Sequence, residues 1–241
     1  MVVTVPALPF SYLIRRSPRA TRVRIIVSLN KIEVVAPPAV TEQHLHKFVS
    51  DKQQWILASQ SKLLSKMPAQ PTPIRYSAGS LIPFQGQHYP LTIALTQQKQ
   101  VKVHFNNHFI IQQPDSLNDE QAHDAIKTAL TQWLKQQAKV QVHHYVSRHA
   151  TTYQLKPRSI IIRQQKSRWG SCGIHNDINI NWLLIMAPPE VLEYVVVHEL
   201  CHIKERNHSP AFWRLVAHHL PNYQQQRAWL KQHGLALMQS V

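Results

Sequence analysis

The chain has 241 residues, 44% of them hydrophobic and 16% charged, enough to bury a sizeable core in one large domain or two modest ones. The formal net charge of +15 favours anionic partners, although a basic soluble surface produces the same excess. Two cysteines exclude a disulfide framework, and no apolar run approaches about 18 residues. At the N-terminus the positive charges follow the apolar stretch, whereas in a signal peptide they precede it. We therefore expect a cytoplasmic protein without a membrane span.

The N-terminal part of the chain predicts short strands with a strong basic excess. Segments 22–27 and 31–36 are rich in β-branched residues and are expected to pair as a hairpin through residues 28–30. Residues 1–114 hold 13 lysines and arginines against three acidic residues, a charge of +10. The arginines near these strands form a candidate anion-binding patch: Arg15, Arg16, Arg19, Arg22 and Arg24. Nucleic acid or a nucleotide would suit this patch, and a solvated strand face explains it equally well.

A long helix and four further strands complete this part of the chain. The helix is predicted over 42–65, because Thr41 is a suitable N-cap and apolar residues recur at helical spacing. A stiff linker is predicted next, at Pro68, Pro71 and Pro73. The four strands are predicted at 80–84, 88–95, 100–105 and 108–112. We interpret residues 1–114 as one β-rich module with one long helix.

Residues 115–241 predict a helical half with a few strands. A helix over 117–150, capped by Asn118, is expected to pack against the helix that carries the histidine motif described next. Strands are predicted at 159–163 and 177–181. The second of these strands directly precedes the motif helix, where an extended substrate could pair with it.

The motif of this half is His-Glu-x-x-His after a run of three valines. On a helix, residues i and i+4 share a face, so His198 and His202 present two imidazoles to one point, which is half of a tetrahedral zinc site. Glu199 lies beside the first histidine, where its carboxylate can act as a general base on a water molecule held by the metal. A chance pair of histidines at the same spacing, such as His104 and His108, lacks this context.

The third ligand of such a site must be another histidine if it lies downstream, because no acidic residue follows Glu205. The candidates are His208, His218, His219 and His233. The spacing from His202 to His208 is that of the motif H-E-x-x-H-x-x-G-x-x-H, although Glu205 stands in the place of its glycine. We favour His208, and Asn207 could supply a left-handed conformation for the turn.

Several short motifs follow one another in a fixed order over about residues 160–215. They are Arg168-Trp169-Gly170-Ser171-Cys172, Ile180-Asn181-Trp182, Ala187-Pro188, His198-Glu199-Leu200-Cys201-His202, and Asn207-His208-Ser209 with Phe212-Trp213. Together they resemble the YgjP-like family of metal-dependent hydrolases, which is grouped with SprT-like and other minimal zincin metallopeptidases. The resemblance implies one Zn²⁺ held by His198, His202 and His208, with Glu199 as catalytic acid and base. The expected fold is α+β: a β-rich N-terminal part, 1–114, followed by a minimal zincin-like helical metallopeptidase half, 115–241.

The first functional hypothesis is a zinc metallopeptidase in which water activated by Glu199 attacks a peptide carbonyl. Candidate donors to the oxyanion are Arg168, Asn207 and Tyr223. The substrate-binding residues expected are Arg168, Trp169, Gly170, Ser171, Asn181 and Asn207.

Two alternatives remain. One is hydrolysis of a phosphoanhydride in a nucleoside triphosphate, with Arg163, Lys166 and Arg168 neutralising phosphate charge; the net charge favours it, and the absence of a Walker-type loop argues against it. The other is a nucleic-acid-associated protein with a structural zinc, closed by Cys172 as a fourth ligand. A peptide or an anionic small molecule is thus the expected substrate.

Overall fold

The structure is a computed structural model that describes residues 8–28, 31–65 and 76–240. Contacts divide the chain into two compact units, Met1–Gln70 and Pro71–Val241. The fold is mixed α+β, as predicted. The predicted linker at Pro68, Pro71 and Pro73 and the turn residues Leu29 and Asn30 lie outside the described residues.

The first unit is a three-stranded sheet with two helices. Its elements are β1 (Leu13–Arg16), β2 (Arg24–Val27), β3 (Ile32–Ala36), α1 (Glu42–Asp51) and α2 (Gln53–Leu64). The strand order is β1-β3-β2, with β3 parallel to β1 and antiparallel to β2, so the predicted pairing of the second and third strands is confirmed. The predicted helix over 42–65 is two helices, because Lys52 leaves the helical conformation at φ −102° and ψ 8°. Both helices cover the same small core, since Leu45, Val49 and Ile56 are buried with Val34.

The second unit contains two sheets and four α-helices within its described residues, 76–240. Its first sheet has the order β4-β5-β7-β6, from β4 (Leu81–Phe84), β5 (Gln87–Thr96), β6 (Lys102–Phe105) and β7 (Phe109–Pro114). After α3 (Asp119–Tyr153), a second sheet has the order β8-β10-β9, from β8 (Ser159–Arg163), β9 (Gly170–Cys172) and β10 (Asp177–Asn181). A 3-10 helix (Trp182–Met186) then leads to α4 (Pro189–Cys201), α5 (Pro210–His219) and α6 (Tyr223–Met238).

The division of contacts differs from the predicted module boundary at residue 114. The sheet of β4 to β7 lies within the second unit because its aromatic side chains pack on α3. The ring of Trp133 lies 5.2 Å from the rings of both Phe84 and Phe109, centroid to centroid. Because burial of these rings requires α3, sheet and helix share one core, and strand-rich composition alone does not reveal such a connection.

Helix α3 is the long element on which the second unit is assembled. Asn118 caps it as predicted, accepting a hydrogen bond from the Gln121 backbone N–H, while the Gln121 side chain accepts one from the Asn118 N–H. The helix packs against α4, which confirms the predicted contact between these two helices. None of the described helices combines the length and apolar character needed to span a membrane.

The turn between β4 and β5 holds the start of α4 in position. The backbone N–H groups of Gln85 and Gly86 donate to the carbonyls of Ile185 and Met186, at 2.8 and 3.1 Å. Gly86 has φ +78°, and a Cβ at this position would lie 3.0 Å from the Pro188 Cα. The turn therefore requires a residue without a side chain to approach the segment that opens α4.

Gly86→Ala is therefore expected to lower the free energy of unfolding by at least about 2 kcal/mol, from the left-handed backbone and the contact with Pro188 together. Gly79→Ala is the matched control, because Gly79 has φ +86° and a Cβ added there would meet no atom within 4 Å beyond its chain neighbours. The control isolates the backbone cost, about 1 kcal/mol. Denaturant unfolding measures both, and equal losses for the two variants would contradict the close approach.

Candidate metal centre

Helix α4 brings the histidine motif to the edge of a core that is otherwise apolar. Its residues are buried along most of its length, including Val195, Val196 and Val197 before the motif. The helix ends at Cys201 with His202 as its C-cap, and the next backbone N–H groups still donate to carbonyls of its last turn. A new helix, α5, begins after Ser209, whose hydroxyl accepts from the Phe212 N–H. The intervening turn carries His208 back towards α4.

The structure brings the three predicted histidines into one cluster. One side-chain nitrogen from each of His198, His202 and His208 lies within 4.8 Å of the others. The Nε2 atoms of His198 and His208 are 3.0 Å apart. Two nitrogens bound to one tetrahedral zinc ion lie about 3.3 Å apart, because each Zn–N bond is about 2.0–2.1 Å. The donor set and its spacing therefore fit a divalent ion such as zinc.

A backbone contact orients the second of these imidazoles. His202 Nδ1 donates to the carbonyl oxygen of Glu205 at 2.9 Å, which leaves Nε2 as the nitrogen available to a metal. The predicted left-handed Asn207 is not observed, since it is not among the described residues with positive φ. Its side-chain oxygen accepts from the Ser209 N–H instead. Glu205 is also absent from the described residues with positive φ, so the turn needs no glycine at that place in the motif.

Glu199 is buried directly beside the cluster. Its side chain is 5% exposed, and its Oε2 atom has no hydrogen-bond partner among the described residues. Burial raises the pKa of the Glu199 carboxyl to about 8, and the positive charge of Arg168 opposes that rise. A buried carboxylate oxygen without a partner is costly, and a water molecule at a metal beside it would supply the missing donor.

Two arginines place positive charge near the cluster. Arg168 acts on Glu199 from the loop before β9. The Arg227 guanidinium of α6 lies 4.5 Å over the ring of Trp213, which stacks on His208 at 5.6 Å. Burial lowers the pKa of His198 to about 3, with further contributions from the neighbouring histidines and Arg227. A neutral imidazole with an available lone pair is the form that binds a metal.

Several residues predicted to bind substrate make internal contacts. Asn181 is fully buried, and its amide donates to the carbonyls of Gln165 and Arg168, at 2.9 and 3.1 Å. Ser171 accepts from the Asn179 amide at 3.2 Å. The ring of Trp169 packs on α6 at Gly234. Of the remaining predicted residues, Arg168 and Asn207 are exposed, and Gly170 lies against Glu199.

The predicted substrate-pairing strand over 177–181 is not an open edge. This strand is β10, which pairs with β8 on one side and β9 on the other, so both of its edges are occupied. Within the described sheet, the edge strand that packs against α4 is β9. Alternation of apolar residues identified a strand at 177–181, but the order of strands in a sheet depends on long-range pairing.

A second polar cluster, which no sequence pattern indicated, lies behind α4. His149 of α3 is 6% exposed. Its Nε2 contacts Glu193 Oε1 at 2.8 Å and its Nδ1 contacts His219 Nδ1 at 3.2 Å. Arg148 also pairs with Glu193, at 3.2 Å. These contacts join α3, α4 and α5, and they assign His219 to this cluster and not to the candidate metal centre.

This second cluster predicts a loss of stability in mild acid. Burial lowers the pKa of His219 to about 4, with the neighbouring histidines contributing, whereas an unfolded histidine titrates near about 6.5. Between these values the unfolded chain binds a proton that the folded chain does not, so the free energy of unfolding falls as the pH falls through this window. In His219→Gln the slope should decrease by up to about one proton, measured by denaturant unfolding from about pH 7 to about pH 4. A slope unchanged from wild type would refute this assignment, and the exposed His88→Gln serves as control.

Gly170 provides a test of how Glu199 is positioned. A Cβ at residue 170 would lie 2.6 Å from Glu199 Oε1 and 2.7 Å from its Cγ, so the carboxylate would have to move. Gly170→Ala is expected to lower kcat by about 100-fold while metal binding persists, since a displacement of about 1 Å is enough for such a loss. The control Gly173→Ala meets only ordinary contacts, at 3.6 Å or more. Equal activities of these two variants would argue against a role for the Gly170 approach.

Three imidazoles beside a buried carboxylate on a helix are the arrangement of a mononuclear metallohydrolase. Comparison with known proteins agrees. The chain matches the family described as YgjP-like, metallopeptidase domain, over residues 21–233. It is also similar to a UTP pyrophosphatase of Escherichia coli (strain K12), with 40% identity over 63 residues, which are 24% of this chain and 38% of that protein.

The chain belongs to the YgjP-like family, because the family match covers most of its length. Membership in a metallopeptidase-domain family indicates a metal-dependent hydrolase that uses a divalent ion. The matched range includes residues of both compact units. The alignment with the pyrophosphatase spans well under half of that protein, so its activity carries over to this chain only as a proposal.

Proposed function

We propose that this protein is a zinc-dependent hydrolase whose ion is held by His198, His202 and His208. The cluster of three imidazole nitrogens within 4.8 Å carries the proposal. Zinc suits imidazole ligands and a three-ligand site with one open position. When bound there, zinc lowers the pKa of a water molecule and polarises the bond to be cleaved.

Glu199 is the proposed general base and acid of the reaction. It accepts the proton of the attacking water and returns it to the leaving group. Its burial raises the carboxyl pKa to about 8 without an ion, and a cation beside it would favour the ionised form that a base needs. Gly170 allows the carboxylate to occupy this position because a side chain there would displace it.

A peptide is the first proposed substrate, and the edge of β9 supports it. Asn181 N–H donates to the Trp169 carbonyl, and Gly173 N–H donates to the Asp177 carbonyl, both at 2.8 Å. In an antiparallel pair the intervening residues alternate, so the backbone polar groups of Gly170 and Cys172 point away from β10. An extended peptide pairing with this edge would pass beside Glu199. The Arg168 guanidinium is a candidate donor to the oxyanion.

Two variants should distinguish the loss of turnover from the loss of the metal ion. Glu199→Gln is expected to retain about one zinc ion per chain and to lose at least about 100-fold in kcat, since general base catalysis contributes about 10²–10⁴-fold. His202→Ala should lose the ion, because one of three protein ligands is removed. Elemental analysis after gel filtration and a hydrolysis assay measure the two effects.

The matched control is His233→Ala, which removes an exposed histidine outside the cluster and should retain both zinc and activity. Full activity in Glu199→Gln would contradict the assigned role of the carboxylate. Retention of zinc in His202→Ala would contradict the ligand set.

A phosphoanhydride is the second proposed substrate. Arg168 acts on Glu199 and Arg227 acts on His198, so both arginines place positive charge near the cluster, where they could bind phosphate oxygens. The name of the similar Escherichia coli protein, a UTP pyrophosphatase, supports the same chemistry. Zinc-loaded protein should therefore be assayed against a peptide library and the four ribonucleoside triphosphates, with Glu199→Gln as control. Cleavage of peptides supports the first substrate class. Release of pyrophosphate from the triphosphates, while the peptides remain uncleaved, supports the second.

A further inference from the structure

We propose that the first compact unit binds single-stranded nucleic acid across the rim formed by β2. The unit has a basic excess: residues 8–28 and 31–65 contain nine lysines and arginines against three acidic residues, a charge of +6. This inference does not depend on the proposed hydrolase activity, because it concerns residues of the first unit alone.

The basic side chains emerge from one face of the sheet. Val34 of β3 packs into the core together with Ile25 of β2, and adjacent residues of a strand point to opposite faces. Arg24 therefore lies on the outer face, beside Val35. Val23 also packs against the core, so Arg22 lies on the outer side as well. On this face Ile26 is 38% exposed, whereas Val35, which lies between Arg15 and Arg24, is fully buried, so the exposed part of the face is the β2 edge.

Arg22 and Arg24 are available to a ligand. Both are exposed, and neither side chain makes an ion pair or hydrogen bond within the described residues. Arg15, by contrast, pairs with Glu33 at 3.2 Å, and Arg16 donates to the carbonyls of Pro37 and Val40. Two uncommitted guanidinium groups two residues apart suit successive phosphates, which they can bind in bidentate fashion.

An aromatic cleft lies at the same border of the sheet. Ile25, Phe48, Lys52 and Trp55 line a cavity of about 290 Å³, and Trp55 is 52% exposed. β2 is an edge strand of the described sheet. Its outer face carries the arginines and its inner face borders this cleft, so the two features meet along the free edge of β2. A base could stack on Trp55 while the adjoining phosphates contact Lys52 and the arginines.

The combination of an aromatic cleft and uncommitted arginines favours single-stranded nucleic acid over other polyanions. Stacking requires an unpaired base, which a duplex does not offer at its surface. An anionic membrane would also attract the charge. However, Trp55 forms the wall of a cleft with a lysine, whereas membrane-surface anchoring favours a broad apolar face. A single-stranded oligonucleotide satisfies both the cleft and the arginines.

The test is fluorescence anisotropy of the full chain with a labelled mixed-sequence oligodeoxynucleotide of about 12 nucleotides, within the site sizes of known single-strand binders. Binding should weaken with salt. Trp55→Ala is expected to weaken it about 10-fold, while Trp55→Phe retains most of the affinity because a ring remains. Arg22→Ala combined with Arg24→Ala should weaken binding and reduce the slope of log affinity against log salt by about 1.4.

Two controls match these variants. Leu57→Ala removes a partly exposed apolar side chain from the same helix as Trp55, and the pair Lys99→Ala and Lys102→Ala removes two exposed charges from the second unit. Both should bind like wild type. The proposal is overturned if the oligonucleotide does not bind, if either control loses as much as its matched variant, or if a duplex of the same length binds as well. Tighter binding to vesicles of anionic lipid, lost in Trp55→Ala, would overturn it in favour of a membrane surface.

Discussion

The candidate centre depends on the burial of α4, an apolar helix that ends in two histidines and a glutamate. Val195, Val196 and Val197 hold the helix in the core, so the side chains that follow emerge at the boundary of that core. Removing Glu199 from water raises its pKa to about 8, an energetic cost that the apolar packing must offset. The same burial depresses the pKa of His198 and keeps its imidazole neutral. One packing constraint thus prepares both the candidate ligand His198 and the proposed base Glu199.

The segment that follows α4 determines whether a third histidine, His208, lies beside His198 and His202. The carbonyl of Glu205 accepts from His202, and the side chain of Asn207 accepts from the Ser209 N–H, so the turn is built from local hydrogen bonds. Pro210 then starts α5, which carries Phe212 under the imidazoles; its ring stacks on His202 at 4.5 Å. Rings packed in this way hold the three candidate ligands in one arrangement, which would reduce the entropy lost on binding a metal.

The two compact units differ in where their positive charge lies. In the second unit, Arg168 and Arg227 flank the candidate centre, where they can influence the choice of substrate. In the first unit, Arg22 and Arg24 lie on a strand face. The described part of that unit contains no cluster of metal-ligating residues. A single figure for net charge combines these two populations. Because the two groups of arginines belong to different units, an anionic substrate and a polyanionic partner can be tested with different variants.

The sequence by itself determined several local features: strands at 159–163 and 177–181, the cap of α3 at Asn118, and the spacing of His198, His202 and His208. These depend on residues within about ten positions of one another, where helix geometry and capping preferences act directly. Only the tertiary structure decided that β9 and not β10 borders the candidate site, that Asn181 supports a loop from inside, and that His149 joins Glu193 and His219. It also decided that the sheet of β4 to β7 shares a core with α3. Strand order and burial arise from contacts between residues far apart in the chain, and no local pattern encodes which of many apolar faces will meet.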